Sequence, residues 1–391
     1  MQLLILYCIA LIIGFLSRRG KSVFRDSLFI VYTISAICGL MLMLVEGGKE
    51  SIGAGYSYIP LIYLYIIVII WIVPYRNLRD SHGSGLLDEG DINSIKKISD
   101  IVIILFLPFT LLLAYNAISV FQVADISYYR LEGDYYSYFV GGSFFSAGVY
   151  LSMLFFVPQI LFFLSYRYHY HYEGIKRVLL LLCSFSFTFM TLCFAGRDGI
   201  AYWIMNSIVL YYYFKDSYDY KARRSVKRVF YIVGGFAFVV FLFITFFRFV
   251  VSHGNTDSTG IILPLLNYLG QSVHVFSQTL NLTLDQIRNL ESTDKLSYTF
   301  GTFVKSLITR YGYLGSIIVS VIQVFVVSFF IKAYNKYRRI WDFFIVFLLF
   351  QIPYYGVFYY RQGIQSMELV YLFSFVLFIF LNLFYGKNSR I

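Results

Sequence analysis

Residues 99–121 read SDIVIILFLPFTLLLAYNAISVF, an apolar run whose only charge is Asp100, and Lys96 and Lys97 lie just before it, separated by Ile98. Coiled as a helix at 1.5 Å per residue, such a run crosses about 30 Å of hydrocarbon. It is one of eleven. The others lie near 2–17, 27–45, 58–75, 143–166, 178–195, 200–214, 229–250, 315–333, 342–359 and 367–385. The shortest are 2–17 and 200–214. The implied fold class is an all-α polytopic membrane protein, a single integral membrane domain over residues 1–391.

The loops between the runs alternate in basic charge. The loops after spans one, three, five, seven and nine, with the C-terminal tail, hold twenty-three of the 32 lysines and arginines. The densest of them carries Lys215, Lys221, Arg223, Arg224, Lys227 and Arg228. The alternate loops hold nine: Lys49, Arg130, Arg197, Arg248, Arg288, Lys295, Lys305, Arg310 and Arg361. Basic residues beside span ends stay cytoplasmic. The N-terminus is therefore expected outside and the C-terminus inside. An even number of spans would spoil the alternation, so the charge pattern supports eleven independently of the hydropathy.

Composition points the same way. The chain is 59% hydrophobic with a mean hydropathy of +0.70, far from an average soluble domain. Its net charge of +11 sets topology and touches anionic lipid, and does not imply nucleic acid. Among 37 tyrosines, several cluster at span ends, such as Tyr211 to Tyr213, as an interfacial belt requires. The first run lacks a basic segment before it, so no cleavable signal peptide is expected. Cys8, Cys38, Cys183 and Cys193 all fall inside spans, without disulfide or zinc spacing, and read as packing residues.

Two outer loops stand out. Residues 122–142 include Tyr128, Tyr129 and Arg130 within a tyrosine-rich segment. Residues 251–314 form the longest loop, expected on the periplasmic side. Within it Val273, Phe276, Leu280, Leu284 and Ile287 recur at helical spacing. His274, Gln278, Asn281, Asp285 and Arg288 follow a second stripe about 100° round the helix. The apolar stripe is expected on the bundle or in the interface. The polar stripe is either an ordinary solvated face or the wall of an aqueous chamber.

Arginine on the outer side is the main chemical signal. Arg197 lies in Gly196-Arg197-Asp198-Gly199, a tight connection between two spans. Arg248 interrupts the outer end of span eight, Arg310 precedes span nine, and Arg361 lies between spans ten and eleven. A guanidinium at membrane depth is costly unless paired or solvated, and it forks onto phosphate oxygens. Convergence of the four would make an anion site; the alternative is that each snorkels separately to the interface. Acids and bases on this side are few: Asp198, His253, His274, Asp285 and Glu368. Asp198 and Glu368 fit a salt bridge to the neighbouring arginine, Arg197 or Arg361, as well as catalysis. His169 and His171 fall on the inner side without a third ligand, so no metal is expected. No phosphate-binding loop, hydrolase elbow, zincin or dinucleotide fingerprint occurs.

Three blocks carry a resemblance to a known family: Ala195-Gly196-Arg197-Asp198-Gly199; Leu263-Pro264-Leu265-Leu266-Asn267-Tyr268-Leu269-Gly270; and Arg310-Tyr311-Gly312-Tyr313-Leu314-Gly315. With the span count and the large late outer loop, the chain resembles the Wzy-type oligosaccharide repeat-unit polymerases of bacterial surface polysaccharides (O-antigen, capsule or exopolysaccharide). That resemblance implies transfer of a glycan from undecaprenyl diphosphate to a hydroxyl of another lipid-linked unit. The reaction would take place at the outer face of the bacterial inner membrane, without cofactor or metal. It implies that Arg197, Arg248, Arg310 and Arg361 hold the diphosphate. One of Asp198, His253, His274 and Glu368 would serve as base. Tyr128, Tyr129, Arg130, Asp285 and Arg288 would contact glycan, although an interfacial belt is the simpler reading of the tyrosines. The implied partners are the lipid-linked oligosaccharides, and a chain-length regulator and flippase in the same membrane. An O-antigen ligase shares this layout. A flippase or other transporter would be expected to show internal repeats or paired broken helices, and the sequence displays neither.

Overall fold

The structure, a computed structural model, describes residues 2–16, 22–45, 58–79, 89–122, 139–167, 174–194, 196–253, 265–266, 268–270, 272–273, 276, 302–358 and 365–385. These residues are helical almost throughout. The helices are α1 (Gln2–Leu16), α2 (Val23–Val45), α3 (Tyr58–Ile72), α4 (Glu89–Phe121), α5 (Gly142–Ser152), α6 (Phe156–Arg167) and α7 (Gly174–Ser184). After them come α8 (Ser186–Cys193), α9 (Asp198–Phe214), α10 (Tyr220–Val229), α11 (Gly235–His253), α12 (Phe303–Tyr337), α13 (Ile340–Tyr355) and α14 (Gln365–Tyr385). Many of these segments are rich in β-branched and aromatic residues, which do not favour helix in water. In hydrocarbon each backbone N–H and C=O must find a partner within the chain, and the helix supplies it.

Each apolar run of the sequence falls on one or two of these helices. Among the described residues six helical segments are long and apolar enough to cross a membrane, and a bent pair, α5 with α6, makes a seventh. Ile5–Leu16, Leu61–Asn77 and Ile340–Tyr355 are apolar but shorter. The described residues are helical, with the long apolar helices of a polytopic membrane protein. It divides into two compact units, one of Met1–Asp80 with Thr259–Asn382, the other of Ser81–Ser258 with Leu383–Ile391.

In the first unit α13 is the centre. Every residue from Ile340 to Gln351 is buried. Phe24 of α2 stands edge-on to Phe343, Phe347 and Phe350, with ring centroids 6.1, 5.7 and 4.6 Å away. The Tyr32 hydroxyl donates to the Pro353 carbonyl at 2.8 Å, satisfying an acceptor that the end of α13 leaves without an internal donor. Between α3 and α12 the contact is made through small residues. Ser316 and Ser320, four apart and fully buried, let the backbones approach. Trp71 Nε1 donates to Ser320 Oγ at 2.9 Å, and the Tyr63 hydroxyl donates to the Tyr313 carbonyl at 2.7 Å.

Part of the long loop packs onto α2. Ser35 Oγ donates to the Leu269 carbonyl at 2.8 Å and lies 3.2 Å from Ser272 Oγ. A methyl group on Gly270 would run into the backbone of Cys38 and Gly39, so only glycine fits there. Val273 and Phe276, the two described members of the expected apolar stripe, are buried. The remaining stripe residues, Leu280, Leu284 and Ile287, lie outside the described residues.

In the second unit α4 packs against α5, α7 and α8. The α5–α6 pair bends by 56° across Met153 to Phe155. Beyond that bend α6 is buried from Phe156 to Tyr166. Gln159 links it to α9: its amide donates to the Trp203 carbonyl at 3.0 Å and to Ser207 Oγ at 2.7 Å, and it accepts from Asn206 at 3.3 Å. All four cysteines are free thiols.

Candidate functional site

The tight connection before α9 is built around Thr188 and Thr191. Gly196 N–H donates to the Thr191 carbonyl at 2.6 Å. Gly199 N–H donates to Thr191 Oγ1 at 3.2 Å, and Thr188 Oγ1 donates to the Gly199 carbonyl at 3.1 Å. A Cβ on Gly199 would stand 2.7 Å from Thr188 Cα and 2.8 Å from the Phe187 carbonyl oxygen. The glycines of this block are therefore required by the close approach of α8 and α9. They present Arg197 and Asp198, both partly exposed, at the start of α9. Asp198 occupies the first turn of that helix, where the N-terminal dipole favours negative charge.

Arg197 reaches α11. Its guanidinium carbon lies 5.7 Å from the centroid of the Phe241 ring, within cation–π range. Arg248 follows Phe241 by seven residues on α11. That places it two turns on, on the same side of the helix and roughly 10 Å along the axis. His253 ends the same helix.

Arg310 lies in α12 beside a break. Gly312 has φ 70° and ψ 179°, outside helical geometry and in a region that glycine enters without steric cost. The break makes Arg310 part of the last turn of the first segment, Phe303 to Tyr311, where the helix dipole favours a cation. Glu368 sits in the first turn of α14, where the dipole favours an anion. The two side chains form an ion pair between Arg310 Nη1 and Glu368 Oε1, joining residues 58 apart in sequence. Their side chains are 36% and 35% exposed. A pair so open to solvent adds only about 0–1 kcal/mol to stability.

Glu368 pairs with Arg310, while Arg361, the neighbour that the sequence suggested as its partner, lies outside the described residues. The helices are not all continuous: α12 breaks at Gly312 and the α5–α6 pair is bent. Outside the described residues fall His274, Asp285 and Arg288 of the polar stripe, and Tyr128, Tyr129 and Arg130. For Arg248 and His253 the backbone position is described. Among the described residues no group of three His, Cys, Asp or Glu could hold a metal.

The structure adds a buried acid that the loop count passed over. Asp342, in the first turn of α13, is 1% exposed, and its Oδ1 accepts from Asn382 Nδ2 of α14 at 2.7 Å. Asp342 Oδ2 and Asn382 Oδ1 have no hydrogen-bond partner among the described residues. Gln351, also on α13, accepts from the Tyr371 hydroxyl of α14 at 3.0 Å. The signal was a polar side chain within an apolar run, which for Asp342 coincided with the presumed span boundary. No family model, curated protein or solved structure matches this chain.

Proposed function

We propose that the chain polymerises undecaprenyl-diphosphate-linked oligosaccharide repeat units into a surface polysaccharide. In this reading it has eleven spans, the N-terminus outside, the C-terminus inside, and works at the outer face of a bacterial inner membrane. The observation that carries the reading is the Arg310–Glu368 pair beside the Gly312 break, on the side of the chain where basic residues are scarce. A guanidinium offers five N–H donors, more than one carboxylate takes up, so a diphosphate can share it.

The reaction forms a bond from an acceptor hydroxyl oxygen to the anomeric carbon of the donor sugar. The bond from that carbon to the diphosphate oxygen breaks, the lipid diphosphate leaves with the electron pair, and the hydroxyl proton passes to a base. Arg310 stabilises the charge that gathers on the leaving group. Arg197, Arg248 and Arg361 are further candidate phosphate ligands from the sequence, each to be tested by its own Arg→Ala variant. Asp198, His253 and His274 are the candidates for the base. Glu368 is assigned to holding Arg310, with which it forms an ion pair. A chain-length regulator and a flippase are the expected neighbours.

The broken helices favour a second reading, transport of the lipid-linked unit, since interrupted helices line transporter sites. Deleting the gene and resolving the surface polysaccharide separates the readings. Single repeat units on the lipid acceptor support polymerisation. Unattached long chains on undecaprenyl diphosphate mean ligation, and units trapped on the inner leaflet mean transport. Reporter fusions test the orientation: Lys221 and Arg338 are expected to read cytoplasmic, Asp257 and Glu291 periplasmic. A cytoplasmic reading at Asp257 reverses the site's side and ends the proposal.

A further inference from the structure

Helix α10 is the most strongly basic element of the chain. Its sequence, Tyr220-Lys221-Ala222-Arg223-Arg224-Ser225-Val226-Lys227-Arg228-Val229, has five cations and no acid. Its start is fixed by Asp219, whose side chain accepts from Ala222 N–H at 2.6 Å. Just before it, Tyr218 is buried and its hydroxyl donates to the Phe163 carbonyl of α6 at 3.0 Å; burial holds that phenol well above its usual pKa. Ala222 and Val226 are the buried residues of α10. Lys221, Arg223, Arg224, Lys227 and Arg228 are all exposed. At 100° per residue they cover an arc of about 160° opposite Ala222 and Val226. The helix is thus held against its unit by one face and offers a fixed cationic surface with the other.

The next segment of the chain sets the depth of that surface. The helix runs on through a π-helical turn, Phe230–Gly234, into α11, and Tyr220–Thr245 together is long and apolar enough to cross a membrane. The buried stripe continues as Gly234, Ala237, Phe241 and Thr245. The opposite stripe continues as Ile232, Phe236, Val239 and Phe243, all exposed. The extra residue of the π turn keeps both stripes in phase, which an unbroken α-helix would not do. Lys221, Arg224 and Arg228 therefore stand directly above a lipid-facing apolar stripe. Tyr220 and Tyr231, both exposed, flank the border with rings suited to the interface.

We infer that α10 is a binding site for anionic glycerophospholipid headgroups, with the acyl chains lying along Ile232, Phe236, Val239 and Phe243. The charges complement a phosphodiester, and the apolar stripe beneath distinguishes a lipid from a free phosphate. This inference rests on the membrane character of the chain and is independent of the polymerase reading.

The test uses the purified full chain in a neutral detergent, titrated separately with cardiolipin, phosphatidylcholine and inorganic phosphate. Bound lipid is read by native mass spectrometry and the thermal midpoint is followed in parallel. Cardiolipin is expected to be retained and to raise the midpoint. The combined variant Lys221→Gln, Arg224→Gln, Arg228→Gln should retain at least about tenfold less, as loss of three surface cations implies. Two comparison variants keep the protein comparable. One replaces Arg223, Arg224 and Arg228 by Lys and should retain cardiolipin; the other, Lys96→Gln, Lys97→Gln, Lys387→Gln, removes equal charge elsewhere and should also retain it. Equal retention by the α10 triple variant overturns the inference. So does an equal response to phosphatidylcholine, or a midpoint shift that inorganic phosphate reproduces.

Discussion

Helices α13 and α14 follow one another in the chain and are built from the same residue types, yet their surroundings are opposite. Phe347 of α13 is fully buried, whereas Phe373 of α14 is 68% exposed. Leu369, Leu372, Val376 and Phe380 of α14 are exposed with it. In water this contrast would be written in the sequence as polar residues on the outer helix. In a bilayer it is not, because lipid tails are as apolar as a protein core and burial between helices gains little from the hydrophobic effect. What distinguishes α13 is tight packing around its aromatic side chains, together with Asp342 and Gln351. What distinguishes α14 is that its polar residues reach inward, Asn382 to Asp342 and Tyr371 to Gln351, while Glu368 reaches Arg310.

The contrast breaks most readily at the aromatic core. Phe347→Ala removes a ring from a fully buried position and is expected to cost about 3 kcal/mol; Phe373→Ala, on the exposed side, should be nearly neutral. Thermal unfolding in one detergent measures both, and equal losses would mean that α13 is no more central than α14. Next comes the polar tie. Asp342→Ala leaves the Asn382 amide without its acceptor in a buried place and is expected to cost about 2 kcal/mol. Asp342→Asn keeps an acceptor oxygen and should recover most of that loss. Smallest in stability is the pair at the other end of α14. Glu368→Gln should change unfolding by no more than about 1 kcal/mol, given its exposure, and leave polymer chain length close to wild type. A folded, inactive Glu368→Gln would instead make that carboxylate the base.

Much of the architecture could be read from residues alone. The apolar runs fall on helices, six or seven of them long and apolar enough among the described residues to cross a membrane, since backbone polar groups in hydrocarbon leave the chain little alternative. Which helix lies at the centre could not be read, because a lipid-facing helix and a buried one carry the same apolar residues. The Gly312 break was equally hidden: Thr309-Arg310-Tyr311-Gly312-Tyr313 reads as loop before an apolar run, whereas it lies within α12, and only the φ of 70° at Gly312 reveals the turn. Arg197 in one unit, and Arg310 and Glu368 in the other, stood out in the sequence as charges where few belong. The pairing of Glu368 with Arg310 was not legible, because packing brings together residues 58 apart in sequence. The glycines flanking Arg197 looked like part of a functional block, and their role proves to be the close approach of α8 and α9.

The central claim is that Arg310 handles the diphosphate of a lipid-linked glycan donor. It is tested most directly with the purified chain in proteoliposomes supplied with undecaprenyl-diphosphate-linked repeat units, reading product length and released lipid diphosphate together. The wild type is expected to give a ladder of longer chains with one lipid diphosphate released per new linkage. Arg310→Ala should abolish the ladder while the protein remains folded, and Arg310→Lys should restore it only in part, because a point charge does not reproduce the guanidinium fork. A wild type that gives no ladder, or an Arg310→Ala variant that gives the wild-type one, contradicts the account.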